Sequence, residues 1–164
     1  MRYICGCQKG TTAKRTKMHD SLPRHREIAA SIIFDTDGHL LLQLRDDIPG
    51  IVQPGKIGLF GGHREPGETF LDCVVRELSE ELSFRVPPER FERVAAFQGP
   101  DSEITGGLLQ AEFFVTREVP VAELNITEGT LRIVPVSELD DLTGRLTPAA
   151  RFALERFFGR ELKA

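Results

Sequence analysis

Glu77, Glu80 and Glu81 lie within the stretch GHREPGETFLDCVVRELSEELSF, Gly62 to Phe84, which carries five glutamates in all. With Thr69 to Leu82 taken as helical, each residue turns about 100° from the last, so the three carboxylates share one sector about 100° wide. Like charges at this spacing repel and cost stability. A divalent cation removes that cost, and an oxygen-only ligand set suits Mg²⁺, with Mn²⁺ as the alternative, rather than zinc. Metal-held carboxylates in turn suit a substrate that brings phosphate oxygens to the same ion.

The flanking residues are those needed to position such a helix. Leu71, Val74, Val75, Leu78 and Leu82 form an adjacent apolar stripe that faces a core. Thr69 followed by Asp72 has the spacing of a capping box and predicts the helix start. Pro66-Gly67 marks a turn. Gly61 and Gly62 leave backbone without side chains where a ligand can come close. Glu68 stands just outside the helix, where its carboxylate can reach the site or steady the helix start. Arg76 and Glu80 are also spaced for a helix ion pair. Cys73 falls on the carboxylate side and reads as a small packing residue, since no histidine stands at a recognisable partner spacing.

The segment resembles the signature of the Nudix hydrolases: Gly62, five residues, Glu68, seven residues, then Arg76-Glu77-Leu78 with Glu80, Glu81 and Phe84. Ser83 departs from the pattern, which has glycine there to let the chain leave the helix in a left-handed turn. The resemblance implies an α/β fold, a Nudix-type α/β/α sandwich with a mixed β-sheet flanked by helices. It also implies hydrolysis of a nucleoside diphosphate linked to another moiety, by water attack on phosphorus. Carried over by position, Glu77, Glu80 and Glu81 match metal-binding glutamates, and the Gly61 carbonyl matches a backbone ligand. Arg76 matches a residue that orients the glutamates, and Glu68 matches a supporting acid. The general base is Glu80 or Glu81. Glu128, in a Thr-Glu-Gly turn, is the candidate for a further metal-binding acid from outside the signature, with Glu103 and Glu112 behind it.

Composition falls in the ordinary range of a soluble globular protein. The chain has 164 residues, 28% charged and 40% hydrophobic, with net charge −4. That length suits one domain, expected over residues 27–164 and preceded by a flexible basic arm over residues 1–26. The arm carries seven Lys/Arg against one Asp. It reads as a solvated tail, with nucleic acid or an anionic surface as the lesser alternative. Cys5 and Cys7 with His19 and His25 lack the second pair that a zinc site needs. Three cysteines suggest no disulfide framework, no run is long enough to span a membrane, and the start lacks a secretory signal. These features predict a cytoplasmic protein. Its expected partner is a nucleotide-derived small-molecule substrate, with no membrane and no nucleic acid firmly implied, and a homodimer stays compatible.

Along the chain, Ile28–Phe34 and Leu40–Leu44 predict a hairpin joined by Asp35-Thr-Asp-Gly38. Residues 46–56 predict a loop, and Ile57–Phe60 a short strand into the glycine turn. Further strands are expected at Phe91–Phe97, Leu108–Thr116 and Leu131–Val136, with a loop over Gly99–Gly107 and a helical turn at Ser137–Leu142. A last helix opens at Thr147-Pro148 and stops at Gly159.

A non-catalytic Nudix-fold nucleotide-binding or sensor module is the alternative function; such modules usually lose acids from the signature, and here none is lost. Isopentenyl diphosphate isomerase shares the fold and metal dependence, but needs a cysteine upstream of the signature, and residues 27–62 contain none. Pro100 stands sixteen residues past Phe84, a spacing that in the family accompanies ADP-ribose-type substrates. ADP-ribose or nucleotide sugars are therefore slightly favoured over dNTPs.

Overall fold

A computed structural model describes residues 25–163 of the protein. Cys5, Cys7, His19 and nearly all of the expected basic arm lie outside the described residues. The first strand, β1, spans His25–Asp35, so His25 and Arg26, at the expected end of the arm, belong to the sheet.

The strands β2 (Leu40–Leu44), β3 (Ile57–Gly58), β4 (Phe60–His63), β5 (Glu92–Pro100), β6 (Leu108–Val119) and β7 (Thr130–Val134) complete a seven-stranded mixed sheet. Its main order is β3-β2-β1-β6-β5, with β4 paired to β1 and β7 to β2. The central strand β1 runs antiparallel to β2 and β4 but parallel to β6. Alternate residues of β1 point to opposite faces, and both faces are buried. Ala29 and Ile33 pack with Cys73, Val74, Leu78 and Leu82 of helix α1 (Phe70–Leu82). Ala30 and Ile32 pack with Ala150, Ala153 and Leu154 of helix α2 (Pro148–Phe158) on the other face. The result is the expected α/β/α sandwich. Among the described residues, no helix is long and apolar enough to cross a membrane.

Local signals act as expected at both helices. Thr69 and Asp72 form a reciprocal capping box, each side chain accepting from the other's backbone N–H. Thr147 caps α2 by accepting from the Ala150 N–H, and Gly159 ends the helix in a left-handed conformation. Ser83 takes that same conformation after α1, at φ 50° and ψ 29°, although it has a Cβ. The helical turn expected at Ser137–Leu142 is instead two 3-10 turns, Val136–Glu138 and Asp140–Arg145.

Several strand boundaries move for tertiary reasons. The short strand expected at Ile57–Phe60 divides at Leu59: β3 pairs with β2, while β4 crosses to β1. β5 continues through Pro100 because Gly99 and Pro100 keep register with Leu109 and Leu108 of β6. The connecting loop therefore shortens to residues 101–107. Pro135 ends β7 one residue after Val134, since proline cannot donate to a ladder.

Candidate active site

The site forms where α1 lies against β4. Gly61 has φ 140°, and a Cβ there would sit 2.2 Å from the Ala29 carbonyl oxygen, so only glycine fits against β1. A Cβ on Gly62 would meet the Glu77 carboxylate at 2.6 Å. The two glycines thus let β4 pair with β1 and also leave room for the acids of α1.

Each acid has a distinct environment. Glu81 is 6% exposed; its Oε2 accepts from the Gly61 N–H at 2.8 Å and its Oε1 from Gln43 Nε2 at 3.1 Å. Burial, reinforced by the charges of Glu128 and Glu77, pushes its carboxyl up to about 8 against the opposing hydrogen bonds. Glu77 is half-buried, and burial raises its carboxyl even though Arg76 Nη1 lies 2.8 Å away. Glu80 is the exception. Its side chain is 61% exposed and leans toward Arg76 at 3.4 Å.

Arg76 organises this face. Its Nε and Nη2 donate to the two oxygens of Glu68 at 2.6 and 3.0 Å, and Nη2 also reaches the His63 carbonyl at 3.0 Å. The guanidinium holds Glu68 down at about 2. Arg76 and Glu68 thus form one fork that ties the turn before α1 to the middle of the helix. Cys73 is buried below it, with its thiol pushed up to about 12 by burial, which suits packing rather than nucleophilic attack.

The loop before β7 brings Glu128 across from Glu81. The Asn125 and Thr127 N–H groups donate to the Leu82 and Glu81 carbonyls at 2.9 Å, and Thr127 Oγ1 donates to the Glu80 carbonyl at 2.7 Å. Free carbonyls at the end of α1 are satisfied in this way. Gly129 has φ 67°, and a Cβ on it would lie 2.6 Å from the Leu44 carbonyl oxygen.

Gly61, Gly62, Glu77, Glu81 and Glu128 line one cavity of about 460 Å³, together with Arg26, Arg45, Arg64 and Glu103. Of the other two acids named from sequence, Glu103 lies in this wall but is paired to Arg26 at 2.6 Å. Glu112 is paired to Arg93 of β5 at 2.9 Å and does not line the cavity. Gln43, Arg26, Arg45 and Arg64 were not singled out in the sequence. Gln43 is the polar interruption of the apolar run Leu40–Leu44, a signal that could have found it. The Nε atoms of Arg45 and Arg64 are buried without a hydrogen-bond partner among the described residues. Arg64 is otherwise paired to Glu27 and donates to the Glu68 carbonyl at 2.6 Å, whereas Arg45 makes no ion pair among the described residues and is the guanidinium best suited to an anion.

The carboxylates named as metal ligands are spread rather than clenched. Among the described residues, Asp35, Asp37 and His39 form the group whose ligand-type atoms all lie within 4.8 Å of one another. That group lies in the β1–β2 turn. The donor set at the cavity still fits a hard cation: it is all oxygen, two of its carboxylates are held above their usual range by burial, and Glu128 faces them.

Comparison with known proteins agrees with this fold. The NUDIX domain matches over residues 23–157. Nudix hydrolase 3 of Arabidopsis thaliana is 27% identical over 154 residues, covering 88% of this chain and 20% of its own length. Isopentenyl-diphosphate Delta-isomerase of Cutibacterium acnes is 28% identical over 130 residues, covering 77% of this chain and 61% of its own length. The chain thus spans less than two thirds of either relative. The structure of a MutT Nudix hydrolase from Burkholderia pseudomallei superposes with a TM-score of 0.63 at 26% identity, covering 80% of this chain and 97% of that one. Nudix hydrolases generally use divalent metals. With the domain match extending over most of the sequence and Glu77 and Glu81 of the signature lining one cavity, this chain belongs to the Nudix hydrolase family.

Proposed function

We propose that the protein hydrolyses the pyrophosphate bond of a nucleoside diphosphate linked to another moiety, in a reaction that depends on Mg²⁺ or Mn²⁺. The observation that carries this reading is the division of the cavity wall. Glu77, Glu81 and Glu128 line it together with Arg45, which makes no ion pair among the described residues, and Arg64, which is paired to Glu27. A bare anion would be repelled by the acids and a bare cation by the arginines. A phosphate ester arriving with a cation satisfies both.

The Gly61 carbonyl, Glu77, Glu80, Glu81 and Glu128 would hold the cation, which supplies charge neutralisation at phosphorus and a more acidic water. Arg45 and Arg64 would take non-reacting phosphate oxygens. Glu81 is favoured over Glu80 as proton acceptor, because it is buried in the cavity wall while Glu80 is exposed. Water attacks phosphorus and gives its proton to the carboxylate. The bridging P–O bond breaks, its electron pair leaves with the phosphate oxygen, and two phosphorylated products result. Arg76 acts at a distance from the reacting atoms, holding Glu68, Glu77 and the His63 carbonyl in one frame.

Pro100 tilts the substrate toward ADP-ribose or a nucleotide sugar over a dNTP. A panel of ADP-ribose, nucleotide sugars, dinucleoside polyphosphates and canonical or oxidised dNTPs, assayed with and without Mg²⁺, tests the reading. Release of phosphorylated products that stops on chelation is expected. Tight binding of one member without turnover of any would replace it with a sensor module.

A further inference from the structure

The catalytic cavity shares Glu103, Phe113 and Ala149 with a second pocket of about 180 Å³. That pocket is walled by Phe97, Pro100, Leu109 and Phe152. The Phe152 ring meets Phe97 edge-on at 5.5 Å and Phe113 at 5.7 Å, so one side is a continuous aromatic surface. Glu103 is the polar group where the two spaces meet, and it is pinned twice. Its N–H donates to Asp101 Oδ1 at 2.8 Å, and its Oε2 accepts from Arg26 Nη2 at 2.6 Å. Asp101 is itself fixed by Arg26 through Nε at 2.6 Å and Nη2 at 2.9 Å, all within the protein interior. The Glu103 Oε1 atom makes no hydrogen bond among the described residues.

This arrangement reads as a recognition edge. A carboxylate paired to a guanidinium offers only acceptors, and an immobilised one spends little entropy on binding. Beside it lies an apolar, aromatic wall that suits a flat ring. Resting on the hydrolase reading above, we infer that this second pocket takes the heteroaromatic base of the substrate and that Glu103 accepts from an N–H on the edge of that base, favouring a purine that has such a donor over one that lacks it. The exocyclic amine of adenine donates to Oε1, as can the ring N–H of hypoxanthine, whereas unsubstituted purine offers no donor at that edge. Arg26 is a positioning residue, since it acts through Glu103 and Asp101. The 101–107 loop thereby becomes a specificity loop anchored to β1.

The test compares AMP with purine riboside 5′-monophosphate in calorimetric binding to the whole protein in Mg²⁺, and ADP-ribose with its purine-riboside counterpart in turnover. The wild type should favour the amino-bearing member of each pair by roughly tenfold or more, expressed in Kd and KM rather than kcat. Glu103→Leu should collapse that ratio toward unity, because it removes the acceptor. Phe97→Leu should weaken both nucleotides alike and leave the ratio, which separates the flat wall from the polar edge. Equal wild-type affinities, no nucleotide binding, or a ratio unchanged in Glu103→Leu would overturn the subsite. Turnover without base preference would remove this inference and leave the hydrolase reading standing. Base-selective binding without turnover of any substrate would do the reverse.

Discussion

Two groups of acids in this protein sit near the same central strand and are held in opposite ways. At the end of β1, Asp35 accepts from the N–H groups of Asp37 and His39 at 2.9 and 2.8 Å, and its other oxygen lies 3.2 Å from His39 Nδ1. Burial would raise its carboxyl, but the His39 and Asp37 bonds together pull it below its usual range. Beside β4, Glu81 receives only one backbone N–H and one amide, and burial leaves it at about 8. The turn acids are the more tightly gathered. Proximity alone is therefore a poor guide to where a cation belongs. What separates the two groups is whether the protein's own donors already satisfy the charge. The turn is a finished structure, whereas Glu81 and Glu128 have no ion pair among the described residues and Glu77 stays raised in spite of Arg76.

The largest test of this contrast is catalytic. Glu81→Gln should lower kcat by about 100-fold or more with the circular dichroism spectrum retained. Asp35→Asn should stay near the wild-type rate at saturating Mg²⁺. Comparable losses in both variants would erase the distinction.

Metal binding gives the next effect. Mg²⁺ should raise the melting temperature of the wild type and of Asp35→Asn similarly, because a ligand of the native state stabilises by mass action. Glu81→Gln and Glu77→Gln should gain less. Without metal, these two should melt at or above the wild-type temperature, since each removes like-charge repulsion. A Mg²⁺ shift lost only in Asp35→Asn would move the cation site to the turn.

The pH dependence of metal-free stability should differ in sign. The folded chain holds the Glu81 proton more tightly than the unfolded chain, so its contribution is full below about 4.5 and is lost as pH rises through about 8. Asp35 is depressed in the folded state, so its contribution is present above its ordinary 3.8 and is lost as pH falls through its lower folded value. Denaturant melts across pH should therefore lose their decline between about 4.5 and 8 in Glu81→Gln. Asp35→Asn should lose only the acid-side fall.

The smallest expected effect concerns placement. Thr127→Val removes the bond to the Glu80 carbonyl and should cost about 1 kcal/mol of stability. It should also weaken Mg²⁺ activation by a few fold through Glu128. An unchanged Mg²⁺ titration would show that Glu128 needs no such anchor.

What was legible in the sequence is what depends on neighbours along the chain. The period of Leu71, Val74, Leu78 and Leu82 places the helix, and Thr69 with Asp72 sets its first turn. The spacing of Glu77, Glu80 and Glu81 puts three carboxylates on one face, and local geometry is enough to specify all of this. The same periodicity could not rank those carboxylates. Glu81 is buried and Glu80 exposed because β4 and Gln43 cover one side of that face and not the other. Nor could it show the opposite wall. Arg26 reaches Asp101 and Glu103 because β1 runs parallel to β6 from His25 opposite Leu108, which carries the start of one strand to the loop before the other. Gly61 could be read as a place of close approach, but only β1 reveals that the approaching group is the Ala29 carbonyl. The sequence by itself determined the chemistry on offer, because ligand type and helical spacing are local properties. The tertiary structure decided which acids are desolvated, which cations face them and what lies beyond them, because burial and charge pairing are set by residues far apart in the chain.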